Sequence, residues 1–125
     1  MNIRRILAIL AACGFILGVA WLKDLAIAQS NTITLTAKLT IKAGKESEFE
    51  TLMKGVVPKV RQEAGNKAYT MLRSKNNPRV FVFLEEYADQ AAIQAHGQHL
   101  KELGLNFSDF LDGPVVAEYY DKIAF

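Results

Sequence analysis

The sequence predicts an α+β domain in which four strands and two helices follow one another in the order β-α-β-β-α-β. Three observations support this prediction. Residues 33–41 alternate apolar and polar side chains without a break, two later segments carry apolar residues at helical spacing, and a short turn joins two strand-like runs between those helices. The domain begins after a leader, because composition differs sharply between residues 1–28 and residues 29–125.

The leader is typical of an export signal. Of its 28 residues 21 are hydrophobic, whereas the following 97 contain 42, an ordinary share for a globular domain. Met1–Arg5 is a short cationic stretch, Ile6–Leu22 is an apolar stretch, and Ala26-Ile27-Ala28 offers the small residues that a signal peptidase accepts. We therefore expect a signal peptide at 1–28, a protein exported to the periplasm or secreted, and a mature chain that begins at Gln29.

Two alternatives for the leader stay open. A retained membrane anchor is one, although the 17 residues of Ile6–Leu22 fall slightly short of the roughly 20 needed to cross the hydrocarbon core. Lipidation is the other, because Leu10-Ala11-Ala12-Cys13 resembles a lipobox in which Cys13 would become acylated. The apolar stretch Phe15–Leu22 after that cysteine stands where a polar tether is expected. A membrane partner is predicted only if the leader is retained.

The leader also holds the features that would suggest other function classes. After residue 28 the chain contains 12 basic and 12 acidic residues and no run rich in Lys or Arg. This balance gives no electrostatic reason to expect a nucleic-acid partner. Cys13 and Trp21 are the single cysteine and tryptophan of the chain. A mature domain without a thiol excludes disulfides, thiolate metal sites and cysteine nucleophiles.

The first half of the domain predicts one strand and one helix. In Ile33–Ile41 every second residue is apolar, as in a strand with one covered face. Ala43-Gly44 predicts a turn, and Lys45–Ala64 follows as an amphipathic helix with acidic residues near its start. We expect a kink or a break at Pro58, because proline lacks the amide that the helix needs, and a helix end at Gly65. The inner stripe of this helix comprises Phe49, Leu52, Met53, Val56, Val57 and Val60.

The second half predicts a hairpin, a helix and a last strand. Ala68–Ser74 and Arg79–Tyr87 read as antiparallel strands joined by a turn at residues 75–78. Asp89 is a suitable N-cap for a helix, residues 106–111 predict a short helical or irregular segment, and Val115–Ile123 predicts the last strand. The inner stripe of the second helix is Ile93, His96, Leu100 and Leu103. This order is the ferredoxin-like arrangement, in which both helices cover one sheet face.

The other sheet face predicts self-association. In the third strand Phe81 and Phe83 alternate with Val80, Val82 and Leu84, so that both faces of the strand are apolar. The last strand repeats this pattern, with Tyr119 on one face and Val116 and Tyr120 on the other. A large open apolar patch is uncommon on a monomer, and a second copy is the simplest cover. We therefore expect a symmetric homodimer.

Three groups of residues resemble the antibiotic biosynthesis monooxygenase domain family. They are Lys42-Ala43-Gly44-Lys45-Glu46 with Phe49, then Glu63-Ala64-Gly65 with Tyr69, then Glu85-Glu86-Tyr87-Ala88-Asp89 with Ala92-Ile93 and Ala95-His96. Their order and spacing together are more specific than any one group, and the similarity spans residues 33–123. The resemblance implies a dimeric α/β barrel of two ferredoxin-like units, each with a pocket between sheet and helices.

The resemblance also implies a reaction. Family members oxidise quinols or polycyclic aromatic phenols with molecular oxygen, often with no metal or flavin, and a related branch binds and degrades haem. We therefore expect a cofactor-independent monooxygenase with a small aromatic or quinol substrate. The alternative is a non-catalytic, stress-associated dimeric domain that holds haem or another apolar ligand. Of the Asn, Trp and His used by the haem-degrading branch only His96 matches, since Tyr87 stands in the Trp position and Thr34 and Thr36 in the Asn region.

His96 is the predicted catalytic residue. Its imidazole can accept the proton of a phenol near neutral pH, which makes the ring electron-rich enough to react with oxygen. A buried structural histidine bonded to a backbone carbonyl is the alternative. Tyr69, Phe83, Tyr87 and Phe107 are the predicted substrate-binding residues, because they could line a pocket for a flat aromatic ligand. Aromatic residues in strands also commonly form the core.

Other polar residues give weaker signals. His99 and Glu102 follow His96 at intervals of one helical turn, which makes a metal site conceivable, but no second group of ligands accompanies them and no metal is expected. Strand alternation turns one carboxylate of Glu85-Glu86 inward, and we expect the inward one to pair with Arg73 across the hairpin. The sequence contains no Ser-His-Asp order, no glycine-rich phosphate loop and no zinc-type Cys/His spacing.

Overall fold

The structure is a computed structural model that describes residues 31–125. The predictions for the leader lie outside the described residues. They are the signal peptide at 1–28, the retained anchor, lipidation at Cys13 and a domain start at Gln29. Within residues 31–125 no helix combines the length and the apolar character needed to cross a membrane.

Four strands and two helices build the domain in the predicted order. The strands are β1 (Ile33–Thr40), β2 (Asn66–Arg73), β3 (Val80–Tyr87) and β4 (Val116–Tyr120). The helices are α1 (Glu46–Val60) and α2 (Gln90–Glu102), and a 3₁₀ turn covers Phe107–Asp109. All strand pairs are antiparallel, and the spatial order is β2-β3-β1-β4. This arrangement confirms the ferredoxin-like α+β prediction; the sheet is open, with β2 and β4 at its edges.

The core lies between α1 and the sheet. Alternation along β1 and β3 turns Leu39 and Phe81 toward the helices, and these two residues are direct partners in the β1–β3 register. Phe49 and Met53 of α1 are fully buried against them, and the rings of Phe49 and Phe81 meet edge to face with centroids 5.1 Å apart. Each such side chain contributes about 1.5–3 kcal/mol of burial free energy.

The end of α1 differs from the prediction. The helix runs unbroken through Pro58 to Val60, and the exposed proline forfeits only the hydrogen bond to Lys54 two residues before the helix stops. Gly65 therefore does not end α1. Its role is close packing, because a Cβ atom at this position would lie 2.3 Å from Cβ of Ala92 and 3.2 Å from Cα of the same residue. Gly65 thus allows α2 to approach the loop that follows α1.

Helix α2 begins as predicted and covers the sheet less completely than α1. The Asp89 side chain accepts a hydrogen bond from the Ala92 amide at 2.9 Å, which confirms the N-cap. Of the residues in α2 only His96 is buried, while Ile93 and Leu100 are half-buried. This thinner cover leaves a cavity between α2 and the sheet. Strand β4 ends at Tyr120, before the predicted Ile123.

The sheet face turned away from the helices is partly apolar, as the alternation in the third strand predicts. Leu84 of β3 is 42% exposed there, and its neighbours Val80 and Val82 on the same face are half-buried. Leu72 and Tyr120 each expose 46% of their surface on this side. We call this surface the open face. The predicted dimer would cover it.

Candidate active site

A cavity of about 240 Å³ lies between the helix-facing side of the sheet and α2. Small-molecule sites are commonly apolar cavities with a few convergent polar groups, and this cavity has that composition. Glu85 on the sheet wall and His96 on the helix wall are its two ionisable groups besides tyrosines. The other lining residues are Leu35, Ala37, Leu39, Tyr69, Phe83, Ile93, Leu100, Phe107, Val115, Ala117 and Tyr119.

Strand register brings the sheet wall together. Alternation along β3 places Phe83, Glu85 and Tyr87 on the helix-facing side, and all three are buried. Tyr69 of β2 lies directly opposite Glu85 in the β2–β3 register. The rings of Tyr69 and Phe83 are 5.3 Å apart, and Tyr69 also contacts the His96 ring at 5.5 Å. Two strands and one helix therefore converge on one aromatic wall.

Glu63 holds His96 from outside the cavity. Nδ1 of His96 lies 3.1 Å from both carboxylate oxygens of Glu63, and Nδ1 of His99 lies 2.6 Å from Oε1 of the same carboxylate. The Glu63 and His96 side chains are only 13% and 10% exposed. A carboxylate can only accept, so Nδ1–H of each imidazole donates a hydrogen bond to Glu63. Nε2 of a neutral His96 then carries the free lone pair of the ring.

The loop after α1 places Glu63 in this position. Arg61 donates from Nε to the Tyr69 carbonyl at 2.8 Å, which ties the beginning of the loop to β2. The Ala88 amide donates to the Gly65 carbonyl at 2.8 Å and ties the end of the loop to the connection between β3 and α2. Glu63 lies between these two anchors, directly facing the turn of α2 that carries His96 and His99.

Tyr87 lies on the helix-facing side of β3 beside the cavity and does not line it. Its side chain is fully buried, its ring is 5.3 Å from the His96 ring, and its hydroxyl donates to Oε2 of Glu85 at 2.8 Å. Burial, followed by the negative charge of Glu85, raises the pKa of Tyr87, so that its hydroxyl stays protonated. Tyr87 thus acts on the cavity through Glu85 and His96.

Glu85 is the buried carboxyl of the site. Burial raises its pKa to about 7, the hydrogen bond from Tyr87 works in the opposite direction, and the charge of Glu63 adds to the increase. The predicted pairing of Glu85 with Arg73 is wrong. Arg73 instead contacts Glu50 at 3.3 Å and the Pro78 carbonyl at 2.9 Å. The register explains the difference, because Arg73 lies opposite Phe81 at the other end of the hairpin.

The structure brings most of the predicted site residues together. His96, Tyr69, Phe83 and Phe107 line the same cavity, whereas Tyr87 lies beside it and bonds to Glu85. The sequence alone gives no role to Glu63, although Glu63-Ala64-Gly65 belongs to the three groups of residues that resemble the family. Within residues 31–125 no group of three or more His, Cys, Asp or Glu side chains is arranged to hold a metal ion. The Glu102 side chain accepts from Gln98 on the surface of α2.

Fold and cavity together define a ferredoxin-like α+β domain with an aromatic-lined cavity between its sheet and its second helix. Comparison with known protein families identifies the family to which this domain belongs. The sequence profile described as antibiotic biosynthesis monooxygenase matches residues 32–101, more than half of the chain. The chain therefore belongs to the antibiotic biosynthesis monooxygenase family, as the three groups of residues indicated.

Individual relatives agree with this assignment. The Bacillus subtilis protein named "Putative monooxygenase YcnE" is 28% identical over 85 residues, which cover 66% of this chain and 90% of that protein. A Caulobacter crescentus crystal structure described as a "putative antibiotic biosynthesis monooxygenase" is 31% identical, with a TM-score of 0.67 over 76% of this chain and 92% of that one. A conserved protein from Methanosarcina mazei is 28% identical, with a TM-score of 0.67 over 75% and 95% of the two chains.

Proposed function

We propose that the protein is a cofactor-independent monooxygenase that oxidises a quinol or another aromatic phenol with molecular oxygen. The observation that carries this proposal is the pairing of Glu63 with His96 at the edge of an aromatic-lined cavity. The carboxylate fixes the tautomer in which Nε2 of His96 can accept a proton. Family membership supports the same reaction class.

The proposed reaction begins with proton transfer. Nε2 of His96 accepts the proton of a phenolic hydroxyl, and the resulting phenolate is electron-rich enough to transfer electrons to oxygen. The new C–O bond forms at an unsubstituted ring carbon. One oxygen atom stays on the ring as a quinone carbonyl, and the other leaves as water with the ring hydrogen and the phenolic proton. The substrate supplies all the electrons, so that no separate reductant is required.

The size of the cavity supports a compact substrate. A volume of about 240 Å³ lies below the range of roughly 300–1,000 Å³ that is usual for drug-sized ligands. The cavity therefore favours a substrate with one aromatic ring or two fused rings over a tetrapyrrole such as haem. Haem binding by a non-catalytic domain is the competing function, and it predicts a Soret shift when the protein is titrated with hemin.

Oxygen consumption tests the proposed reaction. Purified protein is mixed with a panel of hydroquinones and naphthols in an oxygen electrode, and the His96→Ala variant is compared with a Gln94→Ala control on the exposed side of α2. We expect uptake with at least one compound, a loss of about 10²–10⁴-fold for His96→Ala, and little change in the control. Full activity of His96→Ala would refute its role, and a hemin Soret shift without any uptake would favour the competing function.

The proposal extends to assembly and location. The exposed apolar residues of the open face support a homodimer built by two sheets facing each other. The n-region and h-region of the leader support export and cleavage before Gln29. Intact mass of the exported protein tests the second point, because a retained or lipidated leader would add a distinct mass to the chain.

A further inference from the structure

Glu85 is a buried carboxyl group that the proposed reaction does not use. It lies on β3, on the sheet wall of the cavity, and only 7% of the residue is exposed. His96 lines the same cavity from α2. The two polar groups therefore belong to different walls of one cavity, whose other lining residues are aromatic and aliphatic apart from the hydroxyls of Tyr69 and Tyr119.

One carboxyl oxygen of Glu85 is available to a ligand. Oε2 accepts the hydrogen bond from Tyr87, whereas Oε1 bonds to none of the residues 31–125. Among these residues no fully enclosed side-chain oxygen or nitrogen lacks a partner, so Oε1 keeps some access to the space in front of it. Alternation along β3 turns the Glu85 side chain to the helix-facing side of the sheet, where it lines the cavity, so Oε1 lies at the cavity wall.

The surroundings of Glu85 favour a protonated carboxyl. Lysine and arginine are absent from the cavity lining, and the His96 imidazole is already bonded to Glu63. A buried carboxylate without a cationic partner is costly, so the proton stays on the group at higher pH than usual. The titratable groups that face Glu85 or lie close to it are Glu63 after α1, Tyr69 on β2, Tyr87 on β3, His96 on α2 and Tyr119 on β4.

We propose that Glu85 is the second polar contact for the substrate, and that its protonated carboxyl donates a hydrogen bond to an oxygen atom of an uncharged quinol or quinone ring. The inference takes its ligand class from the proposed function. In a quinol, one hydroxyl would donate to Nε2 of His96, and the oxygen on the opposite side of the ring would accept from Glu85; a quinone would keep the second contact. An aromatic carboxylate would instead bring a negative charge into an apolar cavity whose lining offers no lysine or arginine, and the site selects against it.

Binding of an oxidised ligand tests this inference without turnover. The affinity for 1,4-naphthoquinone is measured by equilibrium dialysis at about pH 6 and about pH 8.5, on either side of the raised pKa of Glu85. We expect the wild-type affinity to fall about three- to tenfold at the higher pH, because the carboxyl loses the proton that it donates. 1-Naphthoate, an anionic ring of similar size, should bind more weakly than naphthoquinone at both pH values.

Two variants separate hydrogen bonding from packing. Glu85→Gln keeps an acceptor for Tyr87 and a permanent donor for the ligand, so its affinity should not change with pH. Glu85→Leu keeps much of the volume but cannot donate, and it should bind at about pH 6 as weakly as the wild type does at about pH 8.5. Glu86→Gln is the matched control on the opposite sheet face and should keep the wild-type pH dependence.

Several outcomes would overturn the role of Glu85. They are a wild-type pH dependence in Glu85→Gln, full affinity in Glu85→Leu, or no wild-type binding of naphthoquinone at about pH 6. The two proposals remain distinguishable. Oxygen uptake with unchanged KM in Glu85→Leu would leave the monooxygenase proposal standing and remove this one. The predicted binding pattern without any oxygen uptake would support the role of Glu85 in binding and remove the monooxygenase proposal.

Discussion

The carboxylate of Glu63 lies 3.1 Å from Nδ1 of His96, although the two residues are 33 positions apart in the sequence. The same carboxylate accepts from His99 at 2.6 Å, so that two imidazoles of α2 share one acceptor. The shared bond orients the ring whose Nε2 is the proposed proton acceptor. In the proposed reaction Glu63 is thus a positioning residue, which acts through His96.

Replacement of Glu63 should impair turnover more than folding. We expect Glu63→Ala to lower kcat about tenfold or more, because the His96 ring loses the bond that fixes its tautomer. Glu63→Gln should recover part of the rate, since its amide oxygen still accepts from one imidazole. The measurement is kcat against pH for both variants. A wild-type profile in Glu63→Ala would show that the pair does not orient the base.

Gly65 should be sensitive to a single methyl group. A Cβ atom there would lie 2.3 Å from Cβ of Ala92, so Gly65→Ala should cost about 1–3 kcal/mol of unfolding free energy. Ala92→Gly in the same chain should restore part of the loss. The control is Gly97→Ala inside α2. An added Cβ there has no neighbour within 4 Å, so the substitution should raise the unfolding free energy by about 0.5–1 kcal/mol. Denaturant unfolding measures all three, and equal effects at the two glycines would contradict the packing argument.

Local patterns in the sequence were sufficient for most of the fold. The alternation of β1 and the cap at Asp89 depend on neighbouring residues, and both are confirmed. The end of α1 was missed because Pro58 lies so close to the last turn that its lost bond does not break the helix. The sequence predicts a helix end at Gly65 because Ala92, against which this glycine packs, is distant in the sequence.

The site was harder to predict than the fold, because its contacts depend on register and tertiary packing. Helical spacing put His96 on the inner stripe, yet nothing local indicated that Glu63 would reach it. Alternation predicts one inward carboxylate in Glu85-Glu86 without deciding which, and the structure turns Glu85 inward. The register of the hairpin gives Glu85 the cross-strand neighbour Tyr69 instead of the predicted Arg73. Local spacing therefore predicts which side chains point inward, but not which distant residues they contact.

Leu84 should control assembly. It lies on β3, inside the sheet, and is 42% exposed on the open face. We expect the wild type to be a dimer and Leu84→Glu to be monomeric, because a buried unpaired charge would oppose the contact between two sheets. Light scattering coupled to size-exclusion chromatography measures the mass. Thr51→Glu on the exposed side of α1 is the control, and a monomeric wild type would contradict the proposed dimer.

Glu85 should make the stability of the domain depend on pH. Its pKa is raised from 4.5 to about 7 in the folded state, so the folded chain holds this proton more tightly than the unfolded chain. The stabilisation is complete below pH 4.5 and is lost as the pH rises to about 7, by up to about 1.4 kcal/mol for each pH unit. Glu85→Gln carries no such proton. Between about pH 5 and pH 8 the wild type should therefore lose more unfolding free energy than this variant. Denaturant titration at several pH values measures both losses. Equal losses in the two proteins would show that the Glu85 carboxyl is less buried than the structure indicates.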